Sequence, residues 1–136
     1  MAPVEAPAAQ AVNVPLPMAA HFIVLNITPG DEAEDTVKAF FGNTAALIRS
    51  VERRIPEEQL SMVVGIGSPA WDRLFGAPRP AGLHEFQPLR GDKHFAPSTP
   101  GDLLLHIRAK SERMCFEMAM QCMNALGDAV VAVDEV

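Results

Sequence analysis

Four histidines, two cysteines and one tryptophan are the side chains of this 136-residue sequence whose chemistry reaches furthest beyond packing. His84, Glu85, Asp92 and His94 lie in one stretch and offer nitrogen and oxygen atoms to a cation, but their separations match no compact metal-binding motif. They read as solvated loop residues. His21 and His106 fall inside apolar runs of strand length, where an imidazole is a partly buried side chain bonded to backbone or to a neighbouring domain. Asn26 reads in the same way. Cys115 and Cys122 stand on one predicted helix, about 10 Å apart along its axis, which is too far for a disulfide. Two helical thiols among apolar neighbours behave as small core residues in a reducing compartment. Met114, Met118, Met120 and Met123 on the same helix read as adaptable core or interface filling, and Arg49, Arg53 and Arg54 as a solvated helix end.

Charge and composition narrow the classes. The formal net charge is -6 and no Lys or Arg cluster occurs, which argues against a nucleic-acid or anionic-membrane surface, since both need concentrated positive charge. A hydrophobic content of 49% over 136 residues suits one domain with one core. No run approaches the roughly 18 apolar residues of a membrane helix, and the start of the chain lacks the features of a secretion signal. The expectation is a cytoplasmic protein.

These candidates must be held by a small number of elements. Residues 1–19 contain four of the twelve prolines and show no helical or strand period, so they are expected to form a flexible or extended tail before a domain spanning residues 20–136. Residues 21–27 (HFIVLNI) form the first predicted strand, closed by the turn residues Thr28, Pro29 and Gly30. A helix then starts at Asp31, with Glu34 placed for a capping-box-like pair. Ala33, Val37, Phe40, Phe41, Thr44, Ile48 and Val51 follow its 3.6-residue period until Pro56 stops it. Residues 60–66 are the second strand. Ser68 and Pro69 read as N-cap and first residue of a short helix that puts Trp71 and Leu74 on adjacent parts of one face.

A proline-rich loop over residues 76–101 follows, longer than the roughly 12–15 residues usual for unstructured connections. Residues 102–108 are a third strand, with Leu103, Leu105 and Ile107 on one face and Leu104 and His106 on the other. Residues 111–126 are a second long helix, capped at Gly127, and residues 128–133 a fourth strand. The order βαββαβ predicts an α+β, ferredoxin-like fold: a four-stranded antiparallel sheet with two helices on one face and the long loop between strands two and three.

Such a sheet leaves its second face open, and that face should turn polar if it meets water. It does not. Phe22 and Val24 oppose Ile23, Leu25 and Ile27, and in the last strand Val131 and Val133 oppose Val130 and Ala132. The open face therefore calls for a cover: another domain, a second copy in a homo-oligomer, or the long loop.

The segment joining the second and third strands carries a recognisable series: Gly65-Ile66-Gly67-Ser68, Trp71-Asp72-Arg73-Leu74, Arg79-Pro80-Ala81 with Leu83, and Ala96-Pro97-Ser98-Thr99-Pro100-Gly101-Asp102-Leu103-Leu104. From about Ala20 to Val136 the sequence resembles the first half of a bacterial, B-type-like dye-decolourising haem peroxidase. That resemblance implies two ferredoxin-like domains in one chain, with haem b held mainly by the second. It also implies that peroxide is split by the Asp of a Gly-x-x-Asp-Gly motif with a distal Arg, while a proximal His ligates the iron. No Asp-Gly dipeptide occurs in this sequence, and Val136 precedes the position expected for the motif. The resemblance thus assigns no catalytic, cofactor-binding or metal residue to this chain. It implies an N-terminal half that is structural and inactive alone, binds no haem alone, and has the missing C-terminal domain or a second copy as its partner.

Trp71 would be an electron relay in such a protein, although a Trp beside Leu74 and Phe75 is more simply a packing anchor. Two other readings stay open: a free-standing dimeric α+β-barrel protein enclosing a small apolar ligand or haem, against which the loop motifs count, and an inactive partner docking onto a full-length peroxidase.

Overall fold

The computed structural model describes residues 9–136, so the first eight residues of the expected tail lie outside the described residues. The first strand, β1 (Ala19–Ile27), begins two residues before the expected start. Helix α1 (Asp31–Glu52) follows, then a short 3-10 turn over Pro56–Glu58 and strand β2 (Ser61–Ile66). The short helix α2 (Ser68–Leu74) leads into the long loop, which is not bare: it folds a small hairpin from β3 (Leu89–Arg90) and β4 (Phe95–Ala96). Strand β5 (Leu103–Ala109), helix α3 (Glu112–Leu126), a 3-10 turn (Gly127–Ala129) and strand β6 (Val130–Glu135) complete the chain.

The main sheet runs β2-β5-β1-β6 and is antiparallel throughout. The expected ferredoxin-like order is therefore present, with α2 and the hairpin added inside the long connection. Helices α1 and α3 cover one face. Ile23, Leu25 and Ile27 of β1, Leu103, Leu105 and Ile107 of β5, and Met62 and Val64 of β2 point into that layer. There they meet Val37, Phe40 and Val51 of α1 and Met118, Cys122 and Leu126 of α3. Each large aliphatic side chain buried this way contributes about 1.5–3 kcal/mol. The face assignment expected for β5 is the observed one.

Several local expectations change. Gly30, not Asp31, precedes the first turn of α1, and no side chain caps it; Glu34 is drawn away to Arg73 by an ion pair of 2.6 Å. Gly67 takes the N-cap position of α2 in place of Ser68, whose hydroxyl is held by Arg79. Ala70 and Leu74 are the buried positions of α2, while Trp71 is half-buried. Ser111 caps α3 by accepting from the Met114 N–H at 3.3 Å. The 3-10 turn after α3 delays β6 by two residues relative to the expected strand. On α3, Phe116 and Met120 face outward rather than filling the core.

The two ends of the long connection are stitched together at the sheet. The Gly67 N–H donates to the Asp102 carbonyl at 2.8 Å, and the Asp102 N–H donates to the Leu25 carbonyl at 2.9 Å. The Asp102 carboxylate accepts from the Ile27 N–H at 2.8 Å. This crossing demands glycine. A Cβ on Gly67 would collide with the backbone of Gly101, and one on Gly101 with the Val24 side chain.

Candidate functional site: the open face of the sheet

Directly opposed residues of antiparallel strands share a face, so register gives the layout of the uncovered side. His106 sits at its centre, flanked by Phe22 on β1 and Val63 on β2. Leu104 lies between Val24 and Gly65, and Val131 opposes Asn26. A bulge between Val24 and Leu25 leaves Val133 without a partner on β1. Phe22, Leu104, Val131 and Val133 remain 38%, 37%, 56% and 45% exposed. The apolar open face expected from strand alternation is present.

The imidazole of His106 lies flat on Phe22, with ring centroids 4.2 Å apart and planes 19° off parallel. Burial, and next the charge of Arg108, push its pKa below the ordinary histidine value. A neutral imidazole has the correct charge for a metal ligand, yet a ligating histidine needs a carboxylate or carbonyl on its second nitrogen to fix the ring. Among the described residues His106 has no such bond, and its ring face is given to Phe22.

Arg108 continues the same row and is the one buried charged residue among those described. Its guanidinium reaches backbone rather than a carboxylate: Nη1 donates to the Val12 carbonyl at 2.9 Å and Nη2 to the Ala11 carbonyl at 2.8 Å. Its Nε has no partner among the described residues. In the sequence this residue is only the last of the third predicted strand. Nothing in the proline-rich segment foretold what it would hold.

The remaining candidates are scattered. His21 lies near the start of β1 and pairs through Nε2 with Glu135 at 2.6 Å, tying β6 to its neighbour. His84 bonds the Glu85 carbonyl at 2.8 Å, while Asp92 and His94 sit in the turn of the β3–β4 hairpin. Among the described residues no three His, Cys, Asp or Glu side chains gather to hold a metal ion. Trp71 packs against Phe75 at 4.9 Å and donates to the Pro78 carbonyl at 3.2 Å, so its indole fastens the start of the loop. Cys115 and Cys122 are buried and unpaired; burial raises both pKa values, that of Cys122 to about 12. Neither offers a thiolate at neutral pH. Among the described residues no helix is long and apolar enough to cross a membrane.

A family model described as Dyp-type peroxidase, N-terminal, matches residues 9–136. The chain belongs to the Dyp-type peroxidase family. Among curated Dyp-type relatives, the dye-decolorizing peroxidase of Brevibacterium linens is 58% identical over 118 residues, covering 87% of this chain and 32% of its own length. That of Mycobacterium tuberculosis is 48% identical over 133 residues, covering 98% of this chain and 39% of its own. Among solved structures, the encapsulated DyP-type peroxidase from Mycobacterium smegmatis superposes with a TM-score of 0.86 at 46% identity, over 96% of this chain and 41% of that one. A Rhodococcus jostii dye-decolourising peroxidase variant in complex with heme gives a TM-score of 0.85 at 43% identity, over 95% of this chain and 42% of that one. The chain thus spans about two fifths or less of the Dyp-type relatives it matches. The resemblance drawn from the loop motifs is borne out.

Proposed function

We propose that this chain serves as the N-terminal wall of a dye-decolourising haem peroxidase. In the assembled protein, haem and hydrogen peroxide would oxidise dyes or phenols at a site supplied by the region that the relatives carry beyond the matched part. The observation that carries this reading is the open face: Phe22, Leu104, Val131 and Val133 are exposed around a neutral His106. Apolar surface of that kind on a sheet whose other side is already covered marks a contact with a further domain. The absence of an Asp-Gly dipeptide from the sequence agrees with an architectural role. Two buried free thiols suit a cytoplasmic, reducing setting.

The test joins this chain to the downstream region of the Brevibacterium linens relative and follows Soret absorbance and peroxide-dependent dye bleaching. The joined protein is expected to show both and the 136-residue chain neither. Equal haem content and turnover from the chain alone would overturn the assignment.

A second reading rests on the same face, because an isologous pair of such sheets would also cover it and enclose an apolar ligand. Substituting Leu104 and Val131 by Ser separates the two. Loss of self-association supports the paired form; loss of assembly with the downstream region supports the wall.

A further inference from the structure

The two edges of the main sheet are protected differently. β6 carries the bulge opposite Val24 and Leu25 and ends in Asp134 and Glu135, and both features discourage a further strand from adding. β2 has neither: Ser-Met-Val-Val-Gly-Ile holds no charge and no proline, and it pairs with β5 without a break in register. A bare edge of that composition is a template for another chain.

In this structure the place is taken by the segment that precedes β1. The carboxamide of Gln10 donates from Nε2 to the Val64 carbonyl at 2.9 Å and accepts on Oε1 from the Val64 N–H at 2.8 Å. In an antiparallel strand both polar groups of one residue point to the same side, and those of Val64 point away from β5. Gln10 therefore supplies the two bonds that one residue of a fifth strand would supply. Arg108 anchors the same segment from the neighbouring strand by holding the carbonyls of Ala11 and Val12. Beneath it lies an apolar cavity of about 690 Å³, walled by Phe41, Ala45 and Ile48 of α1, Val64 of β2, and Phe75.

We propose that residues 10–12 guard the β2 edge, and that their displacement opens it to antiparallel pairing with β2 of a second copy of this chain. The second copy is the partner the chemistry favours. Two identical uncharged edges related by a two-fold axis pair antiparallel with no charge conflict, and each brings the same unguarded Val64 donor and acceptor. The inference uses only β2, the segment before β1 and the Arg108 side chain that anchors that segment. It stands apart from the haem chemistry proposed above and from any pairing through the open face.

Gln10 is exposed, so Gln10→Ala leaves the core intact, which circular dichroism checks. Sedimentation velocity over a concentration series is combined with amide hydrogen exchange of β2. The Q10A chain is expected to double its apparent mass relative to wild type as concentration rises. Its Val64 amide, unprotected when dilute, should regain protection in the doubled species. Gln10→Glu, which leaves a charge at the edge, should keep the wild-type mass. Wild-type mass for Q10A at every concentration overturns the proposal, and so does a larger species whose Val64 amide stays unprotected.

Discussion

Arg73 and Glu34 meet at 2.6 Å between α2 and the first turn of α1. The same guanidinium donates to the carbonyls of Thr28 at 2.7 Å, Ile27 at 3.2 Å and Gly30 at 3.3 Å. One side chain of the Trp-Asp-Arg-Leu series thereby binds the end of β1, the turn after it and α1 to the start of the long loop. Arginine suits this place because its planar fork serves several acceptors at once.

Removing that fork should cost stability. Arg73→Ala is expected to lower the unfolding free energy by about 2–3 kcal/mol, the scale of hydrogen bonds to a charged, half-buried group. Arg73→Lys should recover less than half. Urea denaturation of the three proteins measures it, and an alanine variant as stable as wild type would show that the cluster adds nothing.

The glycine crossing predicts an asymmetry between two similar substitutions. In Gly67→Ala the new methyl meets the Gly101 backbone, which has nowhere to go; in Gly101→Ala it meets the Val24 side chain, which can shift. Gly67→Ala should therefore be the worse of the two, by at least about 1 kcal/mol on the scale of overpacked sites. Thermal unfolding of both variants decides it, and the reverse order would contradict the crossing geometry.

Thiol chemistry should report on opening of the fold. Cys115 and Cys122 are 2% and 0% exposed, with pKa values raised by burial. Disulfide reagents at mild alkaline pH should label neither in the native protein, and both should react when denaturant unfolds it. Rapid labelling of native Cys122 would show that α3 leaves the sheet far more readily than its packing allows.

His106 gives the open face a dependence on acidity. Its folded pKa is lowered, by burial first and Arg108 second, so the unfolded chain binds more protons as pH falls through the ordinary histidine range near about 6.5. The neutral ring is favoured in the folded state. Stability linked to this residue is thus present above that range and declines on acidification through it. Urea midpoints between about pH 8 and about pH 5 should fall less steeply for His106→Gln than for wild type. Parallel curves would remove His106 from the effect.

Pattern was enough to place every long element, because α1 and α3 each carry an apolar stripe at helical spacing and β1 and β5 are apolar runs of strand length. What it missed came from contacts between distant residues. Glu34 looked like a capping partner for the first turn of α1, but Arg73, 39 positions away, competes for its carboxylate. The β3–β4 hairpin is too short for alternation to show and is held partly by Arg90 over the Phe95 ring at 4.5 Å. Phe116 and Met120 fall beside the buried stripe of α3, yet no element among the described residues covers them. Gln10 and Arg108 act together across 98 positions, with no pattern in the proline-rich segment to announce it.

The bond from Gly67 to the Asp102 carbonyl means that the chain leaves the sheet and returns to it at a single point. Lengthening an excursion whose ends are already pinned costs only about 0.6 kcal/mol for each doubling. Residues 84–100, beyond the bonds that Trp71 makes to Pro78 and Arg79 makes to Asp72 and Leu83, are therefore a replaceable cassette. Their outline can be rewritten by insertion, deletion or exchange while the layers that hold the protein upright stay as they are.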